Sequence, residues 1–108
     1  MKGFIGEFEE LVLLTIACLG QNAYGVAIKE DIEQRANRAV SIGSLHSTIT
    51  RLEEKGFLES WLGQPSKERG GRRKRFFLVT KGGVAALGNI KNLRDDLWVK
   101  ASLTLSTK

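Results

Sequence analysis

Residues 41–80, SIGSLHSTITRLEEKGFLESWLGQPSKERGGRRKRFFLVT, change their hydrophobic period twice. Leu45, Ile49 and Leu52 stand at i, i+4 and i+7, the spacing of one helical face. Ser41 offers a hydroxyl to an orphan N–H at the start of that helix, and Gly56 after Lys55 stops it. The helical period then gives way to two short strand-like runs, residues 57–62 and 75–79. Turn signals separate them: Gly63-Gln64-Pro65-Ser66 and Gly70-Gly71. Two strands around a glycine-rich tip make a hairpin.

Upstream, Phe8, Leu11, Val12, Leu14, Thr15, Ile16 and Leu19 fit a helix that ends at Gly20. It is apolar on most of its circumference, so a second side is expected to face another subunit. A second helix is predicted from about residue 24 to 35, with Val26, Ile28 and Ile32 inward. Downstream, Thr80 can cap a last helix from about 81 to 100, where Val84, Leu87, Ile90, Leu97 and Ala101 recur near a heptad spacing. Gly82, Gly83 and Gly88 weaken it, each by roughly 1 kcal/mol relative to alanine. Residues 102–108 read as a frayed tail.

The sum is a mainly α fold, a winged helix-turn-helix of three helices plus a two-stranded β-wing, followed by a C-terminal dimerisation helix. Residues 1–80 form the DNA-binding domain on this reading. Residues 81–108 form the dimerisation helix and tail. At 108 residues the chain fits one compact domain.

The net charge of +5 is concentrated in one place. Residues 64–81 carry seven basic and one acidic residue, a balance of +6, while residues 1–40 carry four basic and six acidic. A concentrated basic patch on an otherwise balanced domain suits a polyanion. Gly70 and Gly71 let backbone approach a phosphate, and Arg72, Arg73, Lys74 and Arg75 neutralise phosphates or enter a minor groove. With Leu45, Ile49 and Leu52 inward, the third helix presents Gly43, Ser44, His46, Ser47, Thr48, Thr50 and Arg51 as candidates for base and nearby phosphate contacts. Arg35, Arg38 and Lys55 are candidates for peripheral phosphate contacts. Double-stranded DNA is the expected partner.

Other classes fit less well. Cys18 sits in an apolar helix, where a thiol is usually inert core. His46 is the only histidine, and no cluster offers metal-ligand spacing, so neither a catalytic residue, a metal nor a cofactor is expected. The acidic pairs Glu9-Glu10, Glu53-Glu54 and Asp95-Asp96 look like solvated faces. RNA reading lacks an aromatic stacking surface on the hairpin. The alternative is a protein-interaction winged helix, an adaptor whose wing binds an acidic partner. A basic wing joined to a Ser/Thr-rich helix face is more than such an adaptor needs. No apolar run is long enough for a membrane, no secretory signal is visible, and a single cysteine fits a reducing cytoplasm.

In order and spacing, several segments resemble the PadR family of bacterial regulators, from about residue 8 to 87. They are Leu11-Val12-Leu13-Leu14, Ala23-Tyr24-Gly25, Ser41-Ile42-Gly43-Ser44-Leu45 and Arg51-Leu52-Glu53-Glu54-Lys55-Gly56, then Glu68-Arg69-Gly70-Gly71-Arg72-Arg73-Lys74 and Leu78-Val79-Thr80. The resemblance implies a homodimer on near-palindromic operator DNA, usually a repressor released by a small aromatic or apolar effector. It implies dimerisation through the first and last helices, with an apolar channel between subunits that Trp98 could line. His46 departs from the family, which usually has a phosphate-contacting tyrosine there. Phe76 and Phe77 stand where the family often has tyrosines, and packing is expected of them.

Overall fold

The computed structural model describes residues 4–65, 70 and 73–106. Gly71 and Arg72, two of the wing candidates, lie outside the described residues. The order is α1 (Glu7–Leu19), a single 3-10 turn (Gly20–Asn22), α2 (Gly25–Ala36), α3 (Ile42–Glu54), β1 (Leu58–Pro65), β2 (Arg73–Val79) and α4 (Lys81–Leu105).

Local chemistry fixes the ends of these elements. Ser41 Oγ accepts from the Ser44 N–H at 3.0 Å and starts α3. Gly56 adopts φ 80°, and the Phe57 N–H returns to the Leu52 carbonyl at 2.9 Å, so α3 ends in a left-handed cap. Asn37, at φ 52°, ends α2 in the same way. The α2–α3 connection is held by Glu33, whose carboxylate accepts from the Val40 N–H at 3.0 Å. That bond, with Lys29 beside it, keeps the Glu33 carboxyl below its ordinary pKa.

Three helices enclose the core. Val12, Leu13 and Ile16 of α1 meet Ile28 and Ile32 of α2 and Leu45, Ile49 and Leu52 of α3. Leu58 and Phe77 close it from the wing. On α1 it is Leu13 that faces inward, while Leu14 is exposed. Cys18, expected in the core, is exposed, as are Leu14 and Ala17 on the same helix. α1 therefore keeps an open side.

β1 and β2 pair antiparallel, with Leu58 opposite Val79 and Trp61 opposite Phe76. The register slips by one residue between Leu62 and Pro65, a bulge at Gly63-Gln64. A Cβ on Gly63 would stand 2.5 Å from the Phe76 ring, so any larger residue there would have to push that ring aside. β2 has a neighbour on its other edge as well. The Phe77 N–H donates to the Ala23 carbonyl at 2.9 Å, and Tyr24 bridges to Phe76. Contrary to the expectation of a hairpin without stacked aromatics, Tyr24, Phe76 and Trp61 form an aromatic row across the sheet, with ring centres 5.7 and 5.6 Å apart.

α4 begins pressed against the turn that ends α3. Thr80 Oγ1 donates to the Gly56 carbonyl at 2.6 Å and accepts from the Gly83 N–H at 3.1 Å. Gly83 is buried so closely that a Cβ there would stand 2.5 Å from the Phe57 carbonyl oxygen. Further along, Arg94 pairs with Glu10 of α1 at 2.9 Å. The helix then continues to Leu105, past the predicted end near residue 100, and most of the expected frayed tail is helical. Its projection makes the chain elongated. The radius of gyration is 16.3 Å, where a compact chain of this length would have about 13 Å. Leu93, Leu97, Trp98, Val99 and Leu103 remain exposed along it.

Candidate nucleic-acid interface

α3 is anchored by one face and open on the other. Leu45, Thr48, Ile49 and Leu52 are buried, whereas Gly43, Ser44, His46, Ser47, Thr50 and Arg51 are exposed. Thr48 departs from expectation: it is only 1% exposed. Its hydroxyl donates to the Ser44 carbonyl at 2.9 Å and accepts from Arg51 Nη2 at 3.1 Å. A buried hydroxyl so satisfied costs little, and Thr48 packs rather than faces DNA. Thr50 also bonds its own helix, at the His46 carbonyl, but its methyl group and remaining lone pairs stay in solvent.

The cations separate into two classes. Arg35 pairs with Asp31, Arg38 with Glu7, and Lys55 with Glu9. These three, candidates for peripheral phosphate contacts, are already matched to carboxylates. Among the described residues, Arg73, Lys74 and Arg75 of β2 have no carboxylate within 4.0 Å. Arg75 donates to Ser60 Oγ at 2.9 Å, and Lys74 Nζ sits 4.0 Å from the centre of the Tyr24 ring. Gly70 adopts φ 65°, the left-handed backbone that glycine permits at a hairpin tip.

Between α3 and β2 lies a cleft of 490 Å³. Leu45, Ile49 and Phe77 form its floor, Val26 and Ile42 its walls, and Arg73, Lys74, Arg75 and His46 stand around it. Of the exposed polar residues of α3, His46 borders this cleft opposite the β2 cations, while the rest of the cleft's α3 side is apolar.

Glu9, expected on a solvated face, is buried. Its carboxylate accepts from the Gly6 N–H at 2.8 Å and from Lys55 Nζ at 3.0 Å, and lies 3.6 Å from Arg51 Nε. Lys55 also donates to the Phe4 carbonyl. Burial pushes the Glu9 carboxyl up, but the Gly6 N–H, Lys55 and Arg51 outweigh it, and its pKa falls below the ordinary 4.5. A depressed carboxyl contributes stability above about pH 4.5 and loses it as pH falls through the folded value. Glu9→Gln should therefore destabilise the protein at pH 7 by about 2 kcal/mol, the scale of hydrogen bonds to charged groups, with the gap to wild type narrowing as pH falls from 7 into the acid range. Urea unfolding across that range checks it, and a gap constant with pH would refute the assignment.

A family model described as the transcriptional regulator PadR-like family matches residues 13–89. The chain belongs to that family. The match begins midway along α1 and runs through α2, α3, β1 and β2 into the start of α4. This PadR-like chain is accordingly a transcriptional regulator and not an enzyme. Solved structures share its fold. A PadR family transcription regulator from Clostridium difficile has 17% identity and a TM-score of 0.72, over 91% of this chain and 98% of that one. A PadR family transcriptional regulator from Eggerthella lenta has 21% identity and a TM-score of 0.69, over 94% and 88%. A PadR-like transcriptional regulator from Bacillus cereus has 21% identity and a TM-score of 0.68, over 93% and 88%. A comparison with curated protein sequences finds no match. No described helix of the PadR-like chain is long and apolar enough to cross a membrane.

Proposed function

We propose that the chain acts in the cytoplasm as a homodimeric, ligand-responsive repressor on a near-palindromic operator. The observation that carries this reading is the exposed polar row of α3 together with β2 cations that have no carboxylate partner among the described residues. A major groove admits one helix, and small hydrogen-bonding side chains suit close approach to base edges. Gly43, Ser44, His46, Ser47, Thr50 and Arg51 are the readers or their immediate flank. Gly70, Arg73, Lys74 and Arg75, with Gly71 and Arg72 beyond the described residues, engage backbone or the minor groove.

The exposed apolar strip of α4 and the open side of α1 support a subunit seam. Burying Leu93, Leu97 and Trp98 against a second copy would stabilise the pair by roughly 1.5–3 kcal/mol per large side chain. Trp98, 66% exposed in the single chain, would line the seam where a small aromatic or apolar effector binds. Residues 1–80 then act as the reading unit, and residues 81–108 as the pairing helix and its tail. An effector in the seam must prefer a different spacing of the two α3 helices to release DNA.

Recovery and sequencing of sheared genomic DNA bound by the purified protein at near-physiological salt tests the proposal. A short inverted repeat, its half-sites about one helical turn apart, should be enriched upstream of a few genes. Binding without enrichment would reduce the interaction to nonspecific electrostatics and overturn the reading.

A further inference from the structure

The cleft between α3 and β2 has a character that phosphate binding alone does not explain. Its floor and walls are aliphatic and aromatic: Val26, Ile42, Leu45, Ile49 and Phe77. Val26 is 47% exposed and Ile42 56% exposed, so the apolar surface is open to an incoming molecule. The charge is one-sided. Arg73, Lys74 and Arg75 all come from β2, and no acidic side chain lines the cleft among the described residues. Lys74 rests its ammonium on the Tyr24 ring, a contact an anion could replace at small cost.

We infer that this cleft binds an amphipathic anion, a linear or branched apolar body with a single carboxylate, separately from the subunit seam. The body lies against Ile42, Val26 and Phe77, where apolar surface leaves water. The carboxylate meets the β2 cations through charge-assisted hydrogen bonds. A long neutral molecule would leave those cations unmatched, and a cation would be repelled by them. The occupied cleft stands between the reading helix and the wing, so the anion and DNA exclude each other. That exclusion rests on the proposed reading of α3 and the wing, whereas the binding of the anion does not.

The test titrates the full chain with sodium decanoate below its micelle-forming concentration and follows the isoleucine methyl groups by NMR. The comparison ligands are decan-1-ol and decyltrimethylammonium. Decanoate is expected to shift the Ile42 and Ile49 methyl signals and to bind about tenfold more tightly than decan-1-ol. Decyltrimethylammonium should leave those signals unmoved. Ile42→Asp and, independently, Val26→Trp should abolish the effect. Both positions are exposed, so circular dichroism should show the fold retained. Equal affinity for decanoate and decan-1-ol would overturn the inference, as would undiminished binding by both variants or no binding by wild type. Saturating decanoate should also weaken binding to genomic duplex DNA about tenfold. Unchanged DNA affinity with decanoate seated at Ile42 would overturn the exclusion. A chain that takes up decanoate but never binds DNA would refute the DNA reading and support the anion site.

Discussion

Replacing Arg73, Lys74 and Arg75 together by alanine is expected to weaken binding to every duplex by roughly a hundredfold, at about 1 kcal/mol for each charged group withdrawn from a phosphate. The salt dependence should flatten with it. Three phosphates released at about 0.9 each lower the slope of log affinity against log salt by nearly 3. The wing is singled out because these cations have no carboxylate within reach among the described residues, whereas Arg35, Arg38 and Lys55 do. Thr50→Ala offers the contrast. It removes an exposed side chain from the face proposed to approach base edges, so it should alter sequence preference and leave the slope in place. Titrations at several salt concentrations, with selected and scrambled duplexes, measure both effects. A slope unaffected by the triple substitution would show that the wing does not meet phosphate.

Gly83→Val is expected to destabilise the protein by about 3 kcal/mol, the upper end of ordinary overpacking. The first side-chain carbon would stand 2.5 Å from the Phe57 carbonyl oxygen and 2.7 Å from Val79 Cγ1. Backbone on one side and a packed strand on the other leave it nowhere to go. Relief requires α4 to lift from the turn that ends α3, which also disturbs the reading helix. Gly88 is the control, since a Cβ there meets nothing within 4 Å. Gly88→Ala should raise stability by about 0.5–1 kcal/mol through helix propensity. Urea midpoints of the two variants distinguish these cases, and equal midpoints would refute the close-packing role of Gly83.

Features governed by neighbours along the chain are legible in the amino-acid sequence itself. Ser41 and Thr80 announce helix starts because their hydroxyls reach N–H groups three residues away. Gly56 announces an end because the cap needs a positive φ. Contacts between distant residues leave no such mark. Glu9 and Glu10 look like any acidic pair, and only the fold brings Lys55 and Arg94 to them. Gly83 registers as a weak helix former until Phe57 is seen against it. Polarity places Thr48 outward, yet the bond to Ser44 lets a threonine serve as a core residue. The aromatic row of Tyr24, Phe76 and Trp61 joins three segments and carries no local signature. Within the candidate interface, the polarity of α3 and the basic character of the wing follow from composition. Which cations are already matched follows only from the assembled chain.

The seating of Gly83 against Phe57, with Thr80 bolted to Gly56, turns α4 into a lever. Its 25 residues span about 37 Å at 1.5 Å each. Its first half is clamped to the body, by Gly83 at Phe57, by Ala86 and Ile90 against the core and by Arg94 at Glu10, so the free arm is the stretch beyond Arg94. That arm of about 16 Å moves its tip by only about 3 Å for a bend of about 10°. In the proposed dimer, two chains fastened along such short arms would hold their α3 helices at a nearly fixed distance. Stiffness along the clamped half therefore bears on how finely the proposed pair would measure its binding site.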